Sequence, residues 1–314
     1  MTRTTIVIAT AHAFAAMLPA APAQAQRDRV FVASYGSDGN PCTFGSPCKT
    51  FQQAVDVVAQ GGEVTAIDSA GFGTVTISHA VTITSPAGVE AGIAAPTFEG
   101  NSITINAGPS DIIHLSGLTL DGDGVVNSAG IVFSGGGNLT IENCVIRNFY
   151  DGIDFRPTSS TVIQFFVSNT LISDNTGAGI SINPSGSGPT TGVFDHVTIQ
   201  NNGGVALILT EATQAIYTVS DSVIANNNTA GIDVNSGSNA LLDVMVRNST
   251  ITNNGQYGLQ ATHSGAKILV TRSTISENAL GWVSANGGVV TSFGDNVIVG
   301  NGGNTGSLSS AAYQ

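Results

Sequence analysis

Beyond about residue 63 the chain is written in short runs that alternate apolar and polar residues, such as Thr74-Val-Thr-Ile77 and Leu139-Thr-Ile141. Strict alternation predicts β-strands with one buried face, and the abundance of Val, Ile and Thr suits a pleated surface. The runs recur. Asn stands at positions 148, 175, 202, 227, 254, 278 and 301, in steps of 27, 27, 25, 27, 24 and 23. Three residues before each Asn is a β-branched aliphatic: Val145, Ile172, Ile199, Ile224, Ile251, Ile275 and Ile298. Four residues after it, through the first five units, comes Gly152, Gly179, Ala206, Gly231 or Gly258, followed by Ile or Leu.

A repeat in the twenties is too long for one hairpin and too short for a propeller blade. It suits one coil of a parallel solenoid with about three short strands per turn. Equivalent residues then stack about 4.8 Å apart. The aliphatic column becomes a buried stripe. The Asn column becomes a ladder of side-chain amides, each bonding the next and the turn backbone, with Asn tolerating the left-handed turn conformation.

The start of the chain reads differently. Lys49–Gly61 carries Thr50 as N-cap, Gln53 three residues on as the partner in a capping box, and an apolar stripe of Phe51, Ala54, Val55 and Val58. The pattern predicts an amphipathic helix stopped by Gly61-Gly62. A solenoid needs its open end covered, so residues 26–62 are read as an N-terminal cap. Coils follow over 63–301, regular from 136, and 302–314 is a Gly/Ser-rich tail with no obvious cap of its own. Residues 1–25 have a positive residue, Arg3, an apolar run from Thr4 to Ala16 and the small-x-small signal Ala23-Gln-Ala25. They read as a signal peptide cleaved after Ala25, too short to span a bilayer. The expected location is therefore secreted, periplasmic or cell-surface.

Composition narrows the function. Charged residues make up 10% of the chain and the net charge is −12. With so few basic residues, neither nucleic acid nor an anionic membrane is expected as partner. In Cys42-Thr-Phe-Gly-Ser-Pro-Cys48 two cysteines share a short turn-forming loop with no His nearby, which points to a disulfide in an oxidising compartment rather than a metal site. Cys144 lies in a strand-like run and reads as a buried small hydrophobe.

The Asn-bearing coils, the lead-in Val30-Phe-Val-Ala-Ser-Tyr-Gly-Ser-Asp-Gly-Asn-Pro41 and the following Pro47-Cys-Lys-Thr-Phe-Gln52 resemble the right-handed parallel β-helix proteins of the pectin-lyase-like superfamily. That resemblance implies an all-β solenoid and admits lyases, hydrolases, esterases and epimerases of acidic polysaccharides, together with members of no known activity. The catalytic signatures of the hydrolases, epimerases and pectate lyases are absent. Gly152-Ile-Asp-Phe155 matches the four letters Gly-x-Asp-Phe of the pectin methylesterases, whose Asp is the nucleophile, but Arg156-Pro-Thr158 does not continue the match.

The repeat also ranks the surface. In the strand after each Gly the first apolar residue faces in and the next out. One outward column is Asp154, Ser181, Ile208, Asp233 and Gln260. The column two residues on begins with Arg156. Asp154 and Arg156 therefore share a face, either as a surface ion pair or as a catalytic pair in which Arg keeps the carboxylate ionised. Asp154 and Asp233 are three rungs, about 14 Å, apart, too far for an acid–base pair of roughly 5–9.5 Å. Asp121 and Asp123, with Asp151, form either solvated turns or an oxygen-ligand Ca²⁺ site. His114 is expected to be packed or hydrogen-bonded.

Three classes of function remain. The first is a non-catalytic module that binds extracellular polysaccharide or serves as a surface structural protein. The second is a lyase, esterase or epimerase of acidic polysaccharide centred on Asp154 and Arg156. The third is an adhesin or self-assembling module. The missing signatures, the low charge and the Asn/Thr/Ser columns favour the first.

Overall fold

The computed structural model describes residues 27–312 except 96–99, 125–126, 212 and 238–239. The expected signal peptide lies outside the described residues. Among those described, the strands form three sheets of twelve, nine and ten members, and every paired neighbour is parallel. The chain visits the sheets in rotation. One coil runs through Ile163–Ser168 in the twelve-stranded sheet, Leu171–Ser173 in the ten-stranded and Ile180–Ile182 in the nine-stranded, and then returns as Thr190–Asp195 beside its starting strand. No helix of the described residues is long and apolar enough to cross a membrane.

Each coil buries one side of each strand. Ile172, Ile199, Ile224 and Ile251 are fully buried in one continuous column. A second interior column is aromatic. Phe133 stacks on Phe155 at 4.7 Å, Phe155 packs on Phe165 at 4.8 Å, and Phe194 and Tyr217 continue the series. It begins in the nine-stranded sheet and crosses to the twelve-stranded one, tying the two together across the solenoid.

The N-terminal helix is shorter than its pattern suggests. It spans Phe51–Val57, and Val58–Ala66 is already a strand, paired with Arg27–Val32 on one side and Val81–Thr84 on the other. Ladder bonds to two neighbours outweigh the weak helix preference of Val57-Val58. Thr50 is the N-cap and accepts the Gln53 N–H at 3.2 Å. The Thr50 N–H, however, is donated to Asp38 Oδ1 at 2.9 Å, so Asp38 takes the place expected for Gln53. The first strand of the solenoid thus lies inside the segment read as cap. At the other end the tail is not loose: Leu308–Ser310 extends the twelve-stranded sheet and Thr305 bridges to Val283.

The turn into the nine-stranded sheet carries a chain of amides. Asn175 Nδ2 donates to Asn202 Oδ1 at 2.9 Å, Asn202 to Asn227 at 2.9 Å, and Asn227, Asn254 and Asn278 each donate to the next Asn at 3.0 Å, ending at Asn301. Asn148 does not join this chain. Strand pairing aligns Ile146, not Val145, with Ile172, which puts Phe149 in the amide position, its N–H donated to Asn175 Oδ1. Asn148 instead has φ 61° and donates to Asp121. The left-handed residues form their own column one position earlier: Asn148, Asp174, Asn201, Asn226, Asn253, Glu277 and Gly300. The left-handed turn is therefore made by the residue before each buried Asn, not by that Asn.

A second polar chain, which the sequence reading missed, occupies the turn between the twelve- and ten-stranded sheets. Ser222, Ser249 and Ser273 each accept the backbone N–H of the equivalent residue one coil back, at 3.1–3.2 Å. Each hydroxyl also donates to the carbonyl two residues earlier. The preceding residues Asp221, Asn248 and Arg272 are again left-handed. The signal was present: five residues before each Asn from 175 to 301 stand Thr170, Val197, Ser222, Ser249, Ser273 and Asn296.

Candidate functional site

Asp154 and Arg156 sit on the outer face of the nine-stranded sheet, joined by an Nη1–Oδ2 contact of 3.0 Å. Burial pushes the Asp154 carboxyl above its usual value and outweighs the opposing pull of Arg156. The arginine favours the charged form, as the pairing predicts, but burial is the larger influence. Register places Ser181, Ile208 and Asp233 below it in that order, so the carboxylates of Asp154 and Asp233 stand three rungs apart. Asp151, at the start of the same strand, accepts the Ala178 N–H at 2.7 Å and closes the turn.

The acids read as a possible Ca²⁺ site are not brought together. Asp121, Asp123 and Asp151 are absent from the acidic and imidazole groups whose ligand atoms converge among the described residues. Asp121 is also fully engaged: Asn148 Nδ2 and the Asp123 N–H reach Oδ1 and Arg147 Nε reaches Oδ2, at 2.9–3.1 Å. Burial works to raise its carboxyl, but these bonds together hold it below the ordinary value.

One such cluster does converge: Asp195, His196 and Asp221, at the turn after the twelve-stranded sheet. His196 Nδ1 lies 2.8 Å from Asp195 Oδ2, and Ser220 Oγ donates to Asp195 Oδ1. Asn248 donates to Asp221 Oδ1, and Arg247 Nη2 stands 3.8 Å from Oδ2. The Ser220 bond foremost lowers Asp195, and the Asp195 bond raises His196. These oxygens already serve each other and their neighbours, which makes the cluster a surface hydrogen-bond network rather than an open ligand set. His114 is half-exposed and pairs with Glu142 at 3.1 Å.

Among the described residues a concavity lies elsewhere, on the outer face of the twelve-stranded sheet. A groove of about 360 Å³ runs over four successive rungs, lined by Asn138 and Thr140, then Gln164 and Phe166, then Thr191 and Val193, then Ile216 and Thr218. Val193 and Ile216 are exposed at 36% and 51%. No residue lining the groove carries a charge. Charged and titratable groups stand around it: Glu142 and Asp195, each two residues beyond a lining residue on the same strand, His114 beside Thr140 at one end, and Asp243, facing Lys267, beside Ile216 at the other. Beneath the third rung Gly192 faces inward over the ring of Tyr217. The sequence reading ranked only the face after each Gly, so this groove escaped it. The outward residues of the twelve-stranded sheet change type at nearly every rung and form no column visible in the repeat.

Cys42 and Cys48 are joined in a disulfide, and Cys144 is free and buried.

No curated protein sequence matches the chain. Among solved structures it is similar to pectate lyase Pel9A, with 14% identity and a TM-score of 0.63 over 90% of this chain and 77% of that one. It is similar also to a rhamnogalacturonan lyase, with 14% identity and a TM-score of 0.56 over 84% and 75%. At that identity the likeness concerns the fold, which is the one implied by the pectin-lyase-like resemblance. The family described as the right-handed beta helix region matches residues 52–217 and 206–303. With three parallel sheets wound in rotation and that match over most of its length, this chain belongs to the right-handed β-helix family.

Proposed function

We propose that the chain is an exported polysaccharide-binding module that lays a polymer of neutral or weakly charged sugars along the groove of the twelve-stranded sheet. The observation that carries this reading is the lining. Phe166, Val193 and Ile216 offer apolar surface for the C–H faces of sugar rings. Asn138, Gln164, Thr140, Thr191 and Thr218 offer neutral donors and acceptors for hydroxyls. An acidic polymer calls for arginine or lysine, and the lining holds neither. Four rungs give about 14 Å of track, matched to an extended chain rather than a small molecule. The two solved neighbours named above are polysaccharide lyases by name, which supports a polysaccharide as the ligand class. An exported location rests on residues 1–25 and agrees with the Cys42–Cys48 disulfide.

Affinity electrophoresis in gels containing neutral glucans, mannans, polygalacturonate or alginate tests it. The expected result is retardation by a neutral polymer, weakened in Phe166→Ala and abolished in Ile216→Asp. Retardation by acidic polymers alone, or unchanged binding in both variants, overturns it.

A second reading rests on one observation: Asp154, raised by burial, pairs with Arg156 on the opposite face. It makes the chain a lyase, esterase or epimerase of acidic polysaccharide. Product release from pectin, polygalacturonate or alginate that disappears in Asp154→Asn would favour it.

A further inference from the structure

Under the groove lies a carboxyl that neither reading uses. Glu211 ends the strand Val205–Glu211 and is 1% exposed. Two hydroxyls converge on its Oε1, that of Thr190 at 2.6 Å and that of Tyr217 at 2.5 Å, and these two hydroxyl oxygens are themselves 2.7 Å apart. Three contacts of hydrogen-bond length close a triangle, and each needs one hydrogen. The two hydroxyls carry two. An ionised carboxylate adds none and leaves one edge of the triangle a bare oxygen–oxygen contact in the core. A protonated carboxyl supplies the third hydrogen.

The other oxygen points the same way. Glu211 Oε2 has no hydrogen-bond partner, and neither has the fully buried Oγ of Ser236, its register partner in the next coil. An unpartnered neutral carbonyl oxygen costs far less than an unpartnered share of a negative charge. Among the described residues the carboxyl bonds Thr190 and Tyr217 of the twelve-stranded sheet, and its register partner is Ser236 of the nine-stranded one. Tyr217 alone among them titrates, and burial and Glu211 push its hydroxyl well above the ordinary phenol value. Among the described residues no cation is paired with Glu211, and burial pushes its carboxyl up to about 7.

We propose that Glu211 is a buried proton-binding site that locks the groove from inside: protonated, it ties the strands Thr190–Asp195 and Ala215–Ser220 together, and loss of the proton releases them. These two strands present Thr191, Val193, Ile216 and Thr218 to the groove. The lock follows from the oxygen triangle alone; its effect on binding rests on the polysaccharide reading above. The folded chain keeps this proton up to about pH 7, whereas an unfolded Glu releases it near 4.5. The stabilisation is therefore complete below the lower value, falls as pH rises between the two, and is gone above the higher.

Infrared difference spectroscopy and thermal unfolding at about pH 5.5 and about pH 8.5 test the lock without any ligand. Wild type shows a protonated-carboxyl C=O band at the lower pH that is absent at the higher pH and absent from Glu211→Gln at both. The Tm of wild type drops between the two pH values by more than that of Glu211→Gln, whose amide N–H supplies the third hydrogen without a charge. If Glu211→Gln does not fold, Tyr217→Phe replaces it: burial remains and a donor that favours the charged form is gone, so the protonated band persists at the lower pH. A missing Glu211 band, an equal Tm drop in the Gln variant, or loss of the band from Tyr217→Phe at the lower pH overturns the lock. With the lock intact, polymer affinity falls at the higher pH in wild type and less so in the Gln variant. The expected band and Tm behaviour with no polymer bound at either pH leaves the lock standing and sinks the groove reading instead.

Discussion

Gly192 lies directly over the ring of Tyr217: a Cβ at position 192 would stand 2.6 Å from Cδ1 and 2.8 Å from Cε1. In the inward column Leu139, Phe165, Gly192, Tyr217 and Val244, the one missing side chain makes room for the one large polar ring. The ring is held by its hydroxyl at Glu211 and cannot swing aside. Gly192→Ala should therefore destabilise by about 1–3 kcal/mol, the range for overpacking a close-packed core. Urea unfolding gives the value, and a midpoint equal to wild type would mean that Tyr217 is free to move.

The two Asn columns should respond differently to substitution. Asn227 is buried, and its amide donates to Ile199 O, Ala225 O and Asn254 Oδ1 while its Oδ1 accepts from the N–H and Nδ2 of Asn202. Asn227→Ala strands those partners and should cost about 3 kcal/mol, and Asn227→Gly no less. Asn226 has φ 58° and an exposed side chain that accepts from Asn253. Asn226→Ala should cost about 1 kcal/mol for the left-handed backbone, and Asn226→Gly should recover most of it. Equal losses from Gly at both positions would contradict this division of roles.

Cys144 is 2% exposed, and burial pushes its thiol up to about 11. It should resist alkylation in the native protein and take one label after denaturation without reductant. Reduction before denaturation should add two more, from Cys42 and Cys48. Intact mass spectrometry reads the count, and a label on the native protein would show that the coil around Cys144 opens.

Arg156 is more than half exposed, so Arg156→Ala should change stability by less than about 1 kcal/mol. It should nonetheless raise the Asp154 carboxyl further, because the arginine is the one influence that lowers it. Titration of a ¹³C-labelled Asp154 carboxyl by NMR checks this, and an unchanged midpoint would mean that the pair does not persist in solution.

Much of the fold was legible because stacking imposes a period. One coil must end where the last ended, so the Ile residues from 172 to 275 and the Asn residues from 175 to 301 repeat in sequence as they do in space. The disulfide loop was legible because it is local. Where spacing misled, pairing had decided otherwise. Val145 and Asn148 fit the spacing but not the register, since the first regular coil reaches Gly152 through a turn one residue shorter after Phe149. Val58 belongs to the helical stripe by period and to a strand by its neighbours.

The sites divide along the same line. That Asp154 and Arg156 share a face follows from the two-residue period of a strand, and the sequence alone determined it. Whether burial or the arginine governs that carboxyl depends on the residues stacked on either side, and only the tertiary structure decided it. The groove and the Glu211 triangle have no repeat signature. Thr190, Glu211 and Tyr217 belong to different strands, and their oxygens meet only because the solenoid folds the end of one coil under the start of the next. A period records what every coil must do to stack. It does not record what a single coil does once, and chemistry on this scaffold is of the second kind.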